Sequence, residues 1–432
     1  MIAASPKTSG AGMSRETSSR KRSPRFLYLA GPGDVIGTYQ HWRDNRDDPT
    51  QVAVTDAGQF FDVCRSMSAE AKVISYHKQR NRLKDGPLDI EHRPVPLQDW
   101  SGPMFHVGWW LFSMSVCLSA IVGRYDTLIL MTGTHLWPYW PAKWFGKRVI
   151  LTEQCVIWPK QRGRRGLWKL VHWLDRGFLR RGPEAIISMS KDITDQIVEL
   201  TGSKHSPICH FLPTYRRDSF RSIPPADHNS RPFRVFFAGR IERNKGVFDV
   251  LEIAERLRDR KRLDIVFEIA GDGSALSEVR RRIEERSLQE VVVAHGHCEK
   301  QKMRVLLAQC HVIILPTSSE MVEGFNKVVA EAVLSHRPWI TSHLCPAIRY
   351  VHSAGLEVPP EDIDAYLDAV TRLADSSDLY ARKVEACKRL AEQFYVADYG
   401  WAATLSRCLE GDFSDEKTTI RMSSALSPGG SS

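Results

Sequence analysis

Two glutamates, Glu323 and Glu331, stand eight positions apart in the segment Glu-Gly-Phe-Asn-Lys-Val-Val-Ala-Glu. The apolar run His311–Thr317 before them predicts a buried strand, and Val328–Leu334 predicts a helix. In a doubly wound sheet, ligands bind beyond the strand ends, where the next helix begins. At a helical rise of about 1.5 Å per residue the two carboxylates are about 12 Å apart. Two acceptors at that separation suit an elongated ligand with hydroxyls at both ends and phosphates between them.

A second segment, about eighty residues upstream, supplies cations. Arg234–Gly239 predicts another buried strand, and Arg240 and Lys245 follow it just before an amphipathic helical pattern. A guanidinium binds a diphosphate through a planar fork and an ammonium binds it as a point charge. A solvated helix with two glutamates, or an ordinary basic loop, would explain either segment alone. The two segments together, with strand–helix units between them, favour a nucleotide-sugar site.

These segments resemble the retaining glycosyltransferases of the glycosyltransferase group 1 family (family four). The resemblance is specific from Phe233 to about Pro360, whereas the N-terminal half matches only in the order of its elements. The segments that carry it are Gly239-Arg240, Lys245-Gly246, Ala270–Gly273, His295–His297, Leu315–Thr317 and Glu323–Val333. The resemblance implies the GT-B fold, an α/β class with two facing Rossmann-like domains. Each domain has a parallel sheet with helices on both faces, and the ligand cleft lies between the domains.

The resemblance also implies which residues form the donor site. The implied catalytic residues are Arg240, Lys245 and Glu323, and the implied donor-binding residues are Gly239, Gly296, His297, Gly324, Phe325, Asn326 and Glu331. The two cations would neutralise the diphosphate in place of a metal ion, so no metal and no cofactor are expected. Glu323 and the following amides would hold the sugar, Glu331 the ribose, and the backbone near Gly296 the nucleobase. Asn326 replaces the usual glycine and is expected to alter sugar choice.

In the N-terminal half, the run Gly31–Thr38 follows the predicted strand Phe26–Gly31, as a ligand loop does in this kind of fold. The run is not a G-x-G-x-x-G sequence. By resemblance it faces the donor across the cleft, and contact with phosphate or sugar at Gly37 and Thr38 is a hypothesis.

Glu153 and Gln154 end another predicted strand, Arg148–Gln154. At the position aligned with Gln154, many members of the resembled family carry a histidine that lines the cleft. Glutamine hydrogen-bonds a sugar hydroxyl but does not transfer a proton at neutral pH. Two interpretations stay open: both residues line the cleft, or both cap the strand end structurally.

The length of 432 residues exceeds one ordinary core and predicts two domains. The expected organisation is a disordered basic tail (1–24), an acceptor domain (25–222), a donor domain (223–397), a helix crossing back to the first domain (398–412) and a disordered tail (413–432). Nine scattered cysteines without a C-x-x-C pair argue for a reducing compartment and against a zinc or disulfide framework.

Strand patterns alternate with helical patterns in both halves, which predicts parallel sheets. Besides the strands given above, the patterns predict strands at Lys72–Tyr76, Thr127–Thr132, Ala185–Ser190, Ile208–Pro213, Ile265–Ala270, Val291–Ala294 and Trp339–Ser342. Predicted helices include Ala275–Arg286, with Ser274 as its N-cap, Asp362–Asp375, Leu379–Gln393 and Tyr399–Leu409.

The positive charge is concentrated in the first half. Residues 1–222 hold 32 Lys and Arg against 20 Asp and Glu, and the remainder holds 28 against 31. This imbalance predicts an anionic partner, and no nucleic-acid-binding signature accompanies it. The segment 160–181 combines eight cations with Trp168 and Trp173, as in an interfacial helix on an anionic membrane. The alternative is a helix that packs on the first sheet with solvated charges.

The stretch Val107–Gly123 has no charge and is short for a membrane span, so a buried helix is predicted, with a monotopic or re-entrant contact as the alternative. We therefore expect a cytoplasmic, NDP-sugar-dependent retaining glycosyltransferase, peripheral on the inner face of the membrane. Its expected partners are a nucleotide-sugar donor, a saccharide or lipid-linked acceptor, and no nucleic acid. The alternatives are a nucleotide-sugar epimerase of the same architecture and a non-catalytic nucleotide-sugar-binding protein.

Overall fold

The structure, a computed structural model, describes residues 22–49, 51–131, 133–161 and 163–414. Residues 1–21 and 415–432 of the two predicted tails lie outside this range, as do the single positions 50, 132 and 162. Two α/β domains make up the described chain, each built on one sheet. The predicted α/β fold class is therefore confirmed.

The first domain contains an eight-stranded sheet in the order β3-β4-β2-β1-β5-β6-β7-β8. Its strands are β1 Arg25–Pro32, β2 Glu70–Tyr76, β3 Asn81–Asp85, β4 Leu88–Arg93, β5 Thr127–Met131, β6 Arg148–Glu153, β7 Ala185–Ser188 and β8 Ile208–His210. All neighbouring pairs are parallel except β3 with β4, so the carboxyl ends of the parallel strands meet at one edge.

The second domain contains a fully parallel six-stranded sheet in the order β11-β10-β9-β12-β13-β14. Its strands are β9 Phe233–Ala238, β10 Ile265–Ala270, β11 Val292–Gly296, β12 Val312–Leu315, β13 Trp339–Ser342 and β14 Gly355–Val358. β12 is buried along its whole length, and β9 and β10 are buried except at Arg234 and Val266, which is why these strands appear as mostly apolar runs in the sequence.

Helices cover both sheets. In the first domain they are α1 Val35–Arg43, α2 Asp56–Ser66, α3 Pro103–Val122, α4 Trp140–Trp144, α5 Trp168–Arg181 and α6 Lys191–Thr201. In the rest of the chain they are α7 Val247–Asp259, α8 Leu276–Glu285, α9 Lys300–Gln309, α10 Lys327–Leu334, α11 Ile348–Val351, α12 Ile363–Asp375, α13 Ser377–Ala391 and α14 Trp401–Glu410. Ser274 was predicted as the N-cap of α8, which is wrong: its amide and hydroxyl bind Glu242 instead.

The last helix, α14, returns to the first domain and packs against α2 and β7. The indole of Trp401, wholly buried, donates to Thr152 Oγ1 at 3.1 Å, and the amide of Ala402 donates to Gln59 Oε1 at 3.0 Å. Arg148 of β6 donates to the carbonyl of Leu409 at 2.9 Å, which satisfies a backbone group at the helix end. The chain therefore passes between the two domains twice.

One apolar core runs through both domains. Phe325 and Val329, between β12 and α13, belong to the same buried cluster as the core of the first domain. A separate cluster fills the other face of the second sheet. The domains are thus held in contact by buried side chains as well as by the two connecting segments.

Three strands were missed in the sequence. β3 and β4 form an antiparallel hairpin at the sheet edge, where only Leu88, Ile90 and His92 of β4 are buried. Their charged residues concealed the alternation, because edge strands need only one apolar face. β14 has four residues, too few to give a periodic signal.

The prediction that Val107–Gly123 is a buried helix is wrong in part. α3 is 20 residues long, and it is the one helix of the described residues that is long and apolar enough to cross a membrane. Only a third of its most apolar window is buried. One side of α3 packs on the domain, and large apolar side chains on the other side are exposed. Composition cannot distinguish these two sides, because the whole helix is apolar.

Candidate active site

The ends of β9 and β12 bring Lys245 and Glu323 together. The Lys245 ammonium lies 2.5 Å from Glu323 Oε2, and both side chains are 15 % exposed. Asn326 also donates to this carboxylate, at 3.5 Å. A charge pair with little solvent access is electrostatically stronger than one on the open surface. Glu323 therefore holds the ammonium at the strand end, and an incoming anion would compete with it.

Arg240 is placed differently from Lys245. Its side chain is exposed, and no hydrogen bond or ion pair to it occurs within the described ranges. It acts electrostatically on Cys155 of the first domain, as Lys245 and Glu323 do. Cys155 is exposed, but the protein atoms around its thiol desolvate the thiolate and raise the pKa; the charge of Glu323 adds to this rise and the two cations oppose it. The cations thus face the first domain across the cleft.

Glu331 is buried in α10, next to Tyr215 from the segment after β8. The Tyr215 hydroxyl donates to the carbonyl of Lys327 at 3.1 Å. The same hydroxyl is also a hydrogen-bond partner of the Glu331 carboxyl group, and this contact favours the charged carboxylate. Burial raises the pKa of Glu331 to about 7, and Lys327, Tyr215 and Lys300 oppose the rise. Glu331, the second acceptor predicted from the sequence, is therefore an internal carboxyl group that is about half ionised near neutral pH.

Glu331→Gln should become more stabilising as the pH rises. Because the folded-state pKa is raised, the stability associated with protonated Glu331 is present below pH 4.5 and is lost as the pH rises through about 7. Glutamine is neutral throughout. The variant should match the wild type near pH 4 and exceed its free energy of unfolding by up to about 3 kcal/mol near pH 8. Denaturant unfolding at the two pH values measures this, with the exposed position Glu410→Gln as control. An equal difference at both pH values would contradict the assignment.

The spacing argument for the two glutamates was wrong in one respect. The helix begins at Lys327, so the first four residues of the segment are loop and the rise of 1.5 Å per residue does not apply to them. Asn326 caps the helix with φ +70°, in the left-handed region. Glycine and asparagine tolerate this region best, which explains how asparagine can stand where the resembled family has glycine.

Gly324 approaches the first domain closely. A Cβ atom at this position would lie 1.5 Å from the carbonyl oxygen of Gln154, at the end of β6. Any side chain there would force the strand ends of the two sheets apart. The peptide that follows Glu323 is therefore in direct contact with the first domain.

The structure separates Glu153 from Gln154. Gln154 is half-buried in the cleft and its amide donates to Asp56 Oδ2 at 2.8 Å. Glu153 is wholly buried beneath the cleft, and neither carboxyl oxygen has a hydrogen-bond partner in the part of the chain that is described. Burial, with a smaller contribution from Asp175, raises the pKa of Glu153 far above its usual value. Glu153 is thus a neutral internal acid, and only Gln154 lines the cleft.

The expected contact at Gly37 needs correction, whereas Thr38 lines the cleft cavity described below. Both residues lie in the first turn of α1, where the Gly37 amide donates to Asp34 Oδ1 at 2.8 Å and the Thr38 hydroxyl to Asp48 at 2.9 Å. The Gly37 amide therefore serves the helix N-cap and is not available to a ligand. The loop that faces the cleft lies earlier, at Gly33 and Asp34.

A cavity of about 250 Å³ lies between this loop and the second domain. It is lined by Gly33, Asp34, Thr38 and Gln154 from one side and by Lys327 from the other. Sequence reasoning missed Lys327, Asp56 and Tyr215. Asp34 stands just before an amphipathic run, and this is a recognisable N-cap signal in the sequence. Tyr215 has no such local signal, because the residue that it contacts lies more than a hundred positions away.

Three of the remaining predicted donor residues, Gly239, Gly296 and His297, lie at the carboxyl ends of β9 and β11. Gly239 has φ +151°, and a Cβ on the neighbouring Gly271 would lie 1.7 Å from its carbonyl oxygen. Gly296 ends β11 with φ +73°, and His297 after it is exposed. Phe325 is buried against Tyr350 and Phe394, so it anchors the Glu323 loop. Among the described residues, no group of three or more His, Cys, Asp and Glu is arranged to hold a metal ion.

Two doubly wound domains that meet at their strand ends, with a cation-lined cleft between them, define the GT-B class of folds. Residues 218–392 match the model of the family "Glycosyl transferases group 1". The match covers 175 of the 432 residues and lies in the second domain and the segments that flank it.

Named relatives match over part of the chain. An alpha-D-kanosaminyltransferase of Streptomyces kanamyceticus is 30 % identical over 159 residues, which are 36 % of this chain and 40 % of the relative. The O-antigen chain mannosyltransferase C of Escherichia coli is 27 % identical over 166 residues, 38 % of this chain and 43 % of the relative. The chain thus spans less than half the length of these two curated relatives.

The fold is matched over a larger part of the chain. The crystal structure of Anabaena Alr3699/HepE in complex with UDP superposes with a TM-score of 0.62 at 13 % identity, and the match covers 93 % of this chain and all of that one. At this identity the likeness concerns the fold alone, and it includes the first domain, which the family model does not reach.

Proposed function

We propose that this protein is a retaining glycosyltransferase that moves a sugar from a nucleotide-sugar donor to a saccharide or lipid-linked acceptor. The observation that carries the proposal is the group of Arg240, Lys245 and Glu323 at the cleft. Gly324, next to Glu323, contacts Gln154 of the first domain, so this group lies beside the first domain. The relatives named above are a kanosaminyl- and a mannosyltransferase, and the Anabaena structure holds UDP, which supports the same class of reaction.

In this proposal the donor diphosphate displaces Glu323 from Lys245. The phosphate oxygens then accept hydrogen bonds from the Lys245 ammonium and from the guanidinium of Arg240. The freed Glu323 carboxylate accepts hydrogen bonds from hydroxyl groups of the donor sugar. Negative charge grows on the leaving phosphate as the glycosidic bond breaks, and two fixed cations stabilise that charge in the transition state. On this account neither a metal ion nor a cofactor is required.

The proposed retention of configuration follows from the resemblance and from the acceptor side of the cleft. Gln154 lines this side, and its amide has no proton-transfer function at neutral pH. Glu153 is buried beneath it and neutral, so it does not serve as a base in contact with the acceptor. We therefore assign the acceptor proton to an oxygen of the leaving phosphate on the same face of the sugar. All nine cysteines are free thiols, which supports a reducing, cytoplasmic location.

A panel of UDP-, GDP- and ADP-sugars, scored by thermal shift, tests the function. A donor at about 100 times its Kd stabilises the folded protein by about 2.7 kcal/mol, so one nucleobase should raise the Tm clearly above the others. The same donor should release its nucleoside diphosphate only when an acceptor is added. Arg240→Ala is the control and should show a much weaker shift. A changed sugar without acceptor would instead indicate an epimerase, and binding without turnover a non-catalytic protein.

A further inference from the structure

Exposed apolar side chains are concentrated on one part of the first domain. Of the fifteen large apolar residues that are exposed in the described chain, twelve lie between positions 100 and 173 and three in the second domain. The twelve are Trp100, Met104, Val107, Leu111, Leu118, Val122, Trp144, Phe145, Leu167, Trp168, Leu170 and Trp173. Single exposed apolar residues are ordinary, but a cluster of this kind marks an interaction surface.

α3 contributes a continuous stripe to this surface. Met104, Val107, Leu111, Leu118 and Val122 fall within about 60° of one another around the helix axis at about 100° per residue. The residues buried in the domain lie on the opposite side of α3; they include Phe112, Val116 and Ala120. The stripe extends for about 27 Å along the helix, and α3 has no charged residue from Pro103 to Val122. The helix is therefore attached by one side and presents hydrocarbon on the other.

A groove separates α3 from α5. Its volume is about 490 Å³, within the range of about 300–1,000 Å³ found for ligand pockets. Its walls include Val107 and Trp110 of α3 and Leu170 and Leu174 of α5, and only apolar atoms reach its surface. Trp137, which follows β5, also lines the groove. His106 and His135 also line the groove, but their rings bind each other and no polar atom is exposed at its surface, so the groove suits a hydrocarbon chain.

Cations lie beside the groove. Lys169 and Trp173 share the outward side of α5 with Leu170, and all three are exposed. Arg165 is exposed just before the helix, and in the described part of the chain neither Arg165 nor Lys169 has a carboxylate within 4 Å. Arg164, in contrast, stacks on Trp158 and approaches Glu199, while Arg162 lies outside the described residues. Unpaired cations next to tryptophan and leucine complement an anionic headgroup layer above hydrocarbon.

We propose that the α3–α5 surface, defined as the α3 stripe, the groove and the outward side of α5, docks on an anionic lipid bilayer. The stripe and Trp173 lie at the boundary of headgroups and acyl chains, a lipid chain fills the groove, and Arg165 and Lys169 contact lipid phosphates. Because α3 is packed on the domain by its other side, the contact is monotopic. The proposal is independent of the glycosyl-transfer activity, since none of these residues belongs to the donor site.

Vesicle flotation tests the docking surface. The full-length protein should float with vesicles of phosphatidylcholine and phosphatidylglycerol at low salt, and at least tenfold less with phosphatidylcholine alone. Binding should weaken toward 1 M salt, where the Debye length is about 3 Å. Two surface variants, Leu111→Gln/Leu170→Gln/Trp173→Ala and Arg165→Glu/Lys169→Glu, should each lose most of the floating fraction.

Matched variants on the second domain are the controls. Leu263→Gln/Val305→Gln removes two exposed apolar residues, and Arg260→Glu/Lys261→Glu reverses two exposed cations. Both should float like the wild type, and circular dichroism should show that all variants are folded. The proposal is overturned if the wild type does not float with anionic vesicles, or if surface and control variants lose binding equally. It is also overturned if the wild type self-associates without lipid and the surface variants abolish that association, because the surface would then be a protein interface.

Discussion

Alanine at Arg240 or at Lys245 is expected to lower turnover by about 10²-fold or more while the fold stays intact. Each cation meets phosphate charge that increases in the transition state. The structure adds a difference between the two variants. Arg240→Ala removes an exposed cation that makes no side-chain hydrogen bond or ion pair in the described chain, so stability should not change. Lys245→Ala leaves the carboxylate of Glu323, 15 % exposed, without its main partner and should also lower the Tm.

Arg243 offers a matched control on the same loop. Its guanidinium pairs with Glu278 and stacks over Phe248, away from Glu323, and its side chain is exposed. Arg243→Ala should keep turnover within a few-fold of the wild type, because exposed ion pairs contribute little. Steady-state kinetics with the donor found in the thermal-shift panel, together with circular dichroism, measures all three variants. Wild-type turnover in folded Arg240→Ala and Lys245→Ala would refute the donor site.

Gly324→Ala is expected to have a comparable effect on turnover through geometry alone. The new Cβ would lie 1.5 Å from the carbonyl oxygen of Gln154, so the Glu323 loop must move away from the first domain. A displacement of about 1 Å between reacting groups costs on the order of 10²-fold in rate. Turnover should fall by that order while binding of the free nucleoside diphosphate changes much less, because Arg240 and Lys245 precede the altered loop. Kinetics and calorimetry with the diphosphate separate these effects.

Gly177→Ala is the corresponding control. This glycine lies within α5, and a Cβ there meets no atom within 4 Å. Alanine is the better helix former by about 1 kcal/mol, so the variant should be as stable as the wild type or slightly more stable, with normal turnover. If Gly324→Ala turned over at the wild-type rate, the contact between Gly324 and Gln154 would not belong to the active arrangement.

The sheets were predictable because parallel strands are buried on both faces and appear as apolar runs. β9 and β12 are examples, because their mostly apolar residues are typical of a central strand. The hairpin of β3 and β4 was not predictable in the same way, because charged side chains such as Arg82 and Asp89 pair across it on the exposed face. Which side of α3 is exposed depends on tertiary packing. Because the helix is apolar on all sides, the periodicity of its sequence does not indicate the exposed side.

The site was predictable as a set of residues but not as a set of contacts. The types and order of Arg240, Lys245 and Glu323 indicated a diphosphate and a sugar, yet the ion pair between the last two joins positions 78 apart. Likewise, Tyr215 lies at the end of the first domain and influences the pKa of Glu331 in the second domain. The mistaken assignment at Gly37 was avoidable, since Asp34 stands where an N-cap takes the first amides of a helix.

The return of α14 has a consequence for synthesis. Trp401 and Leu405 are wholly buried among residues of the first domain, and Arg148 of β6 binds the carbonyl of Leu409. Chains emerge from the ribosome N-terminus first, and domains generally fold in that order. Here the domain that emerges first lacks part of its core until nearly the whole chain has been released. The second domain is therefore the first to have all of its own residues, and a truncation before Trp401 would damage the domain at the opposite end of the sequence.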